Sequence, residues 1–148
     1  MKFEIEINEI YKGMRITTIM TPMGHRCGYV GIPESHPLFG VSYNDPIKGK
    51  SKKTIEGMEI GDRGIISLFC ASLSGDSVSP ELYFDVHGSI TYSGGSDYPV
   101  KTTDPTWWYG FDCAHCYDTP EEWTSERVKA ETIRLADQLM AFPAEATK

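Results

Sequence analysis

The first third of the chain alternates apolar and polar residues with a period of two. Phe3, Ile5 and Ile7 are separated by acidic residues, which predicts a β-strand that turns these three side chains towards the core. The segment 14–20 is rich in β-branched residues, a Pro-Met-Gly turn follows it, and the segment 25–32 is largely apolar again. Because turn residues between two apolar runs are typical of a hairpin, we expect an antiparallel hairpin or meander here.

The middle of the chain loses this regular pattern. Residues 33–64 contain many prolines and glycines and few long apolar runs, which predicts a long irregular loop. Since loops of this length in a small domain are often functional, the segment 36–40 is a candidate lid or wall of a site. The apolar segment 65–73 fits a buried strand or a short helix, and the segment 82–92 predicts a further strand, which glycines then end.

The end of the chain predicts a helix over residues 119–141. The sequence T-P-E-E at 119–122 supplies a capping hydroxyl, a proline at the first helical position and a glutamate three residues after the cap. This is the pattern of a capping box, and Ser125 is the alternative start of the main helix, after a bent first turn. Val128, Leu135 and Leu139 recur at helical spacing, so one face of the helix is apolar and is expected to pack on the sheet.

The order of the predicted elements indicates the fold class. Strands, a long loop, further strands and one helix favour an α+β fold with a mostly antiparallel β-sheet, a long irregular loop region and a C-terminal helix packed on the sheet. A chain of 148 residues is usual for one domain, so residues 1–148 are expected to form a single domain. The absence of βαβ alternation argues against a nucleotide-binding parallel sheet.

The net charge of −7 narrows the expected partners. An acidic chain lacks the cationic face that phosphate backbones require, so nonspecific nucleic-acid binding is not expected. The lysines of segment 48–53 are interrupted by Gly and Ser and predict an exposed loop. No apolar stretch is long enough for a membrane span, and the first residues lack the apolar core of a signal peptide. We therefore expect a cytoplasmic protein without membrane association, whose cysteines stay reduced.

Candidate chemistry concentrates in the segments 85–93 and 107–118, where histidines, cysteines and carboxylates stand beside aromatic residues and glycines. If 83–92 and 106–112 are neighbouring strands, the His87 imidazole can meet a carboxylate across them. The expected pocket uses His87, Asp112 and His115 as catalytic groups, and Asp85, Tyr92, Trp108 and Asp118 as ligand-binding groups.

Three interpretations of this His/Asp cluster stay open at the level of sequence. The spacing of Asp112, His115 and Asp118, with His87 and Asp85 nearby, suits a divalent metal such as Zn, Mn or Mg. The same groups suit a metal-free acid/base pair, in which a carboxylate fixes the tautomer of an imidazole. They equally suit a structural hydrogen-bond network that pins two strands together.

The sequence C-A-H-C at 113–116 is a C-x-x-C motif, which is a weak signal by itself. A structural zinc site would need Cys27 and either His25 or His36 as further ligands. Haem attachment would need a histidine where Tyr117 stands. Reduced thiols in packed surroundings are the favoured interpretation.

Four short motifs carry a resemblance to a known family: R-C-G-Y-V-G-I-P at 26–33, H-P-L-F-G at 36–40, V-H-G-S-I-T-Y-S at 86–93 and W-W-Y-G-F-D-C-A-H at 107–115. Over residues 14–140 the chain resembles a family of small uncharacterised proteins from phages, prophages and bacteria. The resemblance implies no particular activity, but it implies that 48–73 is a variable insertion. Ser89 and Tyr117 depart from the family pattern, which often has glycine at both positions.

Two functional hypotheses follow from these residues and from the resemblance. The favoured one is a small-ligand-binding or enzyme-like domain with a His/Asp pocket, for which a divalent metal is the one candidate cofactor. The alternative is a phage-encoded interaction protein, for example an inhibitor of a bacterial defence system. Such a protein would bind a host protein in the host cell cytoplasm, and its His and Asp groups would only hold the fold.

Overall fold

The computed structural model describes residues 3–47, 78–114 and 118–142. Within them the elements are β1 (Glu4–Tyr11), β2 (Met14–Met20), β3 (Arg26–Pro33), α1 (Pro80–Tyr83), β4 (Tyr92–Gly94), β5 (Thr106–Asp112) and α2 (Ser125–Met140). The strands form one sheet in the order β1-β2-β3-β5-β4, and every neighbouring pair is antiparallel. Helix α2 packs against β1, β2 and β3. The predicted α+β fold with an antiparallel sheet and a packed C-terminal helix is confirmed.

The predicted hairpin and meander are also confirmed. Lys12 and Gly13 connect β1 to β2 with φ angles of 49° and 86°. Both residues are left-handed, as a two-residue type I′ turn requires, and this turn matches the twist of the strands that it joins. The turn between β2 and β3 is closed by the Thr21 N–H, which donates to the His25 carbonyl at 2.8 Å.

Strand β1 departs from the prediction. Its register shifts between Ile5 and Ile7, so that Ile5 lies opposite Ile19 and Ile7 lies opposite Thr18. A bulge of this kind breaks the period of two and sends the two side chains to opposite faces of the sheet. Ile5 is 49% exposed on this edge strand, so the prediction that it faces the core is wrong.

Helix α2 covers one face of the sheet with the apolar side chains that its spacing predicts. Val128, Leu135 and Leu139 are fully buried there, against a cluster that includes residues of β2, β3 and β5. The helix comes very close at Gly28, where an added Cβ would lie 2.2 Å from the Thr132 hydroxyl oxygen. Only glycine therefore fits at this position of β3.

The other face of the sheet has its own smaller core. Ile19, Cys27, Tyr29 and Trp108 form a buried cluster, and partly buried aromatic residues, among them Tyr92, pack against it. Both faces of β3 and β5 are thus covered, which explains why these two strands are apolar almost throughout. The sheet separates two compartments, and this separation decides which candidate residues can meet.

The segment 82–92 is not the predicted strand. Residues Pro80–Tyr83 form helix α1, with Pro80 at its start, and β4 begins only at Tyr92. Between them Gly88 and Ser89 have φ angles of 67° and 63°, which an extended strand cannot contain. The prediction is wrong because positive φ angles in an H-G-S sequence override an apolar alternation that otherwise resembles a strand.

The C-terminal helix begins later than the capping box indicates. The Thr119 hydroxyl accepts from the Glu122 N–H at 3.2 Å, but it caps only an isolated turn. Helix α2 starts at Ser125, and the Thr124 hydroxyl caps it by accepting from the Arg127 N–H at 3.2 Å. The predicted start at residue 119 is therefore six residues early, and the alternative start at Ser125 is confirmed. The predicted end agrees to within one residue.

The long loop is irregular over residues 34–47, as predicted. The predicted insertion, 48–73, and the apolar segment 65–73 within it lie outside the described residues. The Ile47 N–H donates to the Val78 carbonyl at 2.7 Å, so the described chain resumes next to the point where it stopped. Neither of the two described helices is long and apolar enough to cross a membrane.

Candidate functional site

The loop 85–89 is positioned by polar side chains of α2. The Gln138 side chain accepts from the Asp85 N–H at 2.8 Å and donates to the Asp85 carbonyl at 2.6 Å. The Glu131 carboxylate accepts from the His87 N–H at 2.7 Å. Side chains of the helix thus supply backbone hydrogen bonds that a neighbouring strand would otherwise provide. The main chain of the loop is held against the helix at two points.

A chain of charges joins these two points. The Arg134 guanidinium donates to both carboxylate oxygens of Glu131, at 2.8 and 3.0 Å, and to Asp85 at 3.1 Å. Burial alone would raise the pKa of Glu131, but hydrogen bonds from Arg134 and from the His87 N–H outweigh it and lower that pKa. The hydrogen bonds between Arg134 and Glu131 also raise the pKa of Arg134, because they stabilise its charged form. Both groups are therefore charged at neutral pH.

The His87 ring contacts residues other than the one that its backbone N–H contacts. Its Nε2 lies 2.8 Å from a carboxylate oxygen of Asp118, and the two side chains are 25% and 9% exposed. The ring lies 4.0 Å from the Trp123 ring at an angle of 34°, and the Arg127 guanidinium lies 4.0 Å from that same tryptophan. The His87–Asp118 pair therefore packs against the Trp123 ring, and the His87 side chain is partly exposed to solvent.

The structure pairs two of the predicted site residues, His87 and Asp118, and the carboxylate of a third, Asp85, contacts Arg134. Asp112 lies at the end of β5, where its carboxylate accepts from the Thr91 hydroxyl at 3.4 Å and from the Ala114 N–H at 3.3 Å. Among the described residues, the Asp118 carboxylate lies within hydrogen-bond distance of the His87 ring, and Asp112 stays a predicted site residue. His115 lies outside the described residues and stays a prediction.

Two other predicted residues lie on the far side of the sheet from α2. Trp108 is fully buried in the smaller core, and its indole N–H has no hydrogen-bond partner in the described part of the chain. Tyr92 packs edge-on against Tyr29 and Tyr98, at 5.6 and 5.4 Å between ring centroids. The structure therefore separates these two aromatic residues from the His87 ring.

In residues 3–47, 78–114 and 118–142, no three His, Cys, Asp or Glu side chains come together as ligands for a metal ion. Residues 115–117 of the predicted metal and C-x-x-C motifs lie outside these ranges. Burial raises the pKa of the Cys27 thiol to about 11 and that of the Cys113 thiol to about 12. His25 contacts the Thr21 hydroxyl at 3.3 Å. The metal site stays a prediction.

The residues that position the loop were missed by the sequence analysis. Glu131, Arg134 and Gln138 follow one another at intervals of three and four, so they form a stripe along α2. This polar stripe runs beside the apolar stripe of Val128 and Leu135. It is the signal that could have identified a helix edge facing polar partners.

No protein-family model, no curated protein and no solved structure matches this chain. The functional interpretation therefore depends on the geometry of the site.

Proposed function

We propose that this protein is a small-ligand-binding, enzyme-like domain whose reactive group is the His87–Asp118 pair. The observation that carries the proposal is the 2.8 Å contact between the two side chains, next to the Trp123 ring and with a quarter of the His87 side chain exposed. A carboxylate beside one ring nitrogen fixes the imidazole tautomer. Such a pair can take a proton from a bound molecule and return it.

The contacts that hold the backbone of the loop are separate from those of the His87 imidazole, and this supports a functional role for the imidazole. The backbone of the loop is already held by Glu131 and Gln138 through three hydrogen bonds. The imidazole of His87 contacts Asp118 and Trp123 in addition. A side chain whose orientation is fixed by a hydrogen bond and by packing is typical of a binding or catalytic group.

The Asp118 carboxylate sets the expected chemistry. With the proton of the neutral ring on Nε2, directed at Asp118, the basic lone pair lies on Nδ1. The flat Trp123 ring offers a surface on which a planar or apolar part of a small molecule can stack. The proposal uses no metal, and it places the activity in the cytoplasm, that of the host cell if the protein is phage-encoded.

The proposal is tested with the variant His87→Gln and the matched control His25→Gln, which changes another partly exposed histidine. Saturation-transfer NMR against a panel of carboxylate, phosphate and amine metabolites detects binding without knowledge of the substrate. We expect at least one compound to bind the wild type and the control but not His87→Gln. If every compound that binds the wild type also binds His87→Gln equally well, the imidazole is not part of a binding site.

A second candidate, the phage-encoded protein that binds a host protein, is favoured by the surface of β1. This edge strand exposes Ile5 and Ile10 and carries Glu4 and Glu9 on its surface. An exposed edge can pair with a strand of another protein, and acidic residues along it would suit a basic partner. In this case Ile10→Lys abolishes capture of the partner in a pull-down and His87→Gln does not.

A further inference from the structure

The loop that follows β3 borders a cavity that the His87 site does not use. The cavity has a volume of about 310 Å³, which lies at the lower end of the range for small-molecule sites. Its described lining is Pro37, Leu38, Gly40, Val41, Asp45, Pro46 and Ile47. These residues are mostly apolar, and Asp45 is the one ionisable side chain among them. The cavity includes most of the H-P-L-F-G motif that the sequence analysis identified as the possible wall of a site.

The wall of this cavity is fixed to the sheet by hydrogen bonds. The Tyr109 hydroxyl donates to the carbonyl of Val41, and the Trp107 indole N–H donates to the same carbonyl at 3.0 Å. Further along the loop, the Tyr43 N–H donates to the Ser93 hydroxyl at 3.0 Å. These bonds hold the loop to β4 and β5 from beneath. The cavity is therefore formed before any ligand arrives, as is usual for small-molecule sites.

His36 fixes the other end of the wall to α2. Its Nδ1 accepts from the Leu38 N–H at 3.0 Å, so the proton of the neutral ring lies on Nε2, which donates to the Leu139 carbonyl at 2.7 Å. The ring also stacks on Phe142, at 6.2 Å between centroids. One histidine thus ties the first turn of the loop to the end of the helix.

We propose that this cavity binds a small apolar amine, whose hydrocarbon part lies against Pro37 and Val41 and whose ammonium group faces Asp45. The apolar lining favours the hydrocarbon part through burial of its surface. The exposed Asp45 carboxylate gives the cavity a negative charge, and its described lining contains no basic residue. The Asp45 carboxylate would repel an anionic ligand, and a neutral ligand would gain at most a hydrogen bond from it.

The test uses three ligands of matched shape and different charge: benzylamine, benzyl alcohol and benzoate. Amide chemical shifts of Val41 and Ile47 in ¹⁵N-labelled full-length protein report binding. We expect saturable shifts with benzylamine, weaker binding of benzyl alcohol by about fivefold, and no binding of benzoate. The factor of five corresponds to one unit charge at about 4 Å in water, which is the appropriate medium for an exposed carboxylate.

Two variants locate the site. Asp45→Asn is expected to weaken benzylamine binding by about fivefold, and the control Asp97→Asn, which changes an exposed carboxylate outside the cavity, is expected to leave it unchanged. Val41→Phe fills the cavity and is expected to abolish binding, with the melting temperature measured to show that the variant is folded. The proposal is overturned if benzylamine does not bind saturably, if benzyl alcohol binds as well, or if Asp45→Asn has no effect.

Discussion

The carboxylate of Glu131 belongs to one of the two α2 side chains that hold the backbone of the 85–89 loop. It accepts from the His87 N–H and from two nitrogens of Arg134, and its side chain is 14% exposed. Glu131→Gln keeps the shape and one acceptor oxygen but removes the charge. Hydrogen bonds to a charged group contribute about 1.5–3 kcal/mol. Because the Arg134 side chain is 44% exposed and solvent screens it, we expect a loss of only about 1.5 kcal/mol.

This loss depends on pH, and its sign follows from the pKa of Glu131. The folded protein lowers that pKa below its ordinary value of 4.5, so the folded state binds fewer protons than the unfolded state near that pH. The stabilisation is therefore complete above pH 4.5 and is lost as the pH falls through the folded pKa. The free-energy difference between wild type and Glu131→Gln should close in that same window.

The assay is urea unfolding at about pH 7 and at about pH 3.5. The matched control is Glu121→Gln, which changes an exposed glutamate and should lower the free energy of unfolding by less than about 0.5 kcal/mol. In a chain of this size the expected loss lowers the melting temperature by about 3–6 °C. A loss for Glu131→Gln that equals the control, or that persists unchanged at the lower pH, would refute the proposed role of this carboxylate.

Three further predictions concern the packing and the buried groups. Gly28→Ala should cost about 1–3 kcal/mol, because its Cβ would meet helix α2, whereas Gly95→Ala, which meets nothing, should be neutral in urea unfolding. Burial lowers the pKa of His36 below its ordinary value of 6.5. The free energy of unfolding of the wild type should therefore be highest above pH 6.5 and fall as the pH drops below it, whereas His36→Gln should lack this dependence on pH. Cys27 and Cys113 should resist iodoacetamide at about pH 8 in the folded protein and react after unfolding, as mass spectrometry would show.

The hairpin and the helix were predictable because their signals are local. Turn residues between apolar runs mark the meander, and the apolar spacing of Val128, Leu135 and Leu139 marks the buried face of α2. The predicted strand at 82–92 was wrong because the N–H and C=O groups of this loop bond to side chains of α2. These partners lie more than forty residues away in sequence, and no local pattern reveals them.

The candidate site was predictable in part. His87 was identified because histidines and carboxylates are concentrated around it, and Asp85 and Asp118 do lie on the same side of the sheet. The expectation that His87 meets a carboxylate across two strands assumed that His87 itself stands on a strand. The left-handed residues Gly88 and Ser89 turn the chain there, and the imidazole contacts Asp118.

We propose that backbone contacts with α2 hold the loop 85–89 in place, while the imidazole of His87 serves a bound molecule. The most direct measurement is the free energy of unfolding of His87→Gln compared with that of Glu131→Gln. The account predicts a loss below about 1 kcal/mol for His87→Gln, smaller than the loss for Glu131→Gln, since functional side chains are seldom optimised for stability. A loss for His87→Gln that exceeds the loss for Glu131→Gln would contradict the account, because the imidazole would then be part of what holds the fold together.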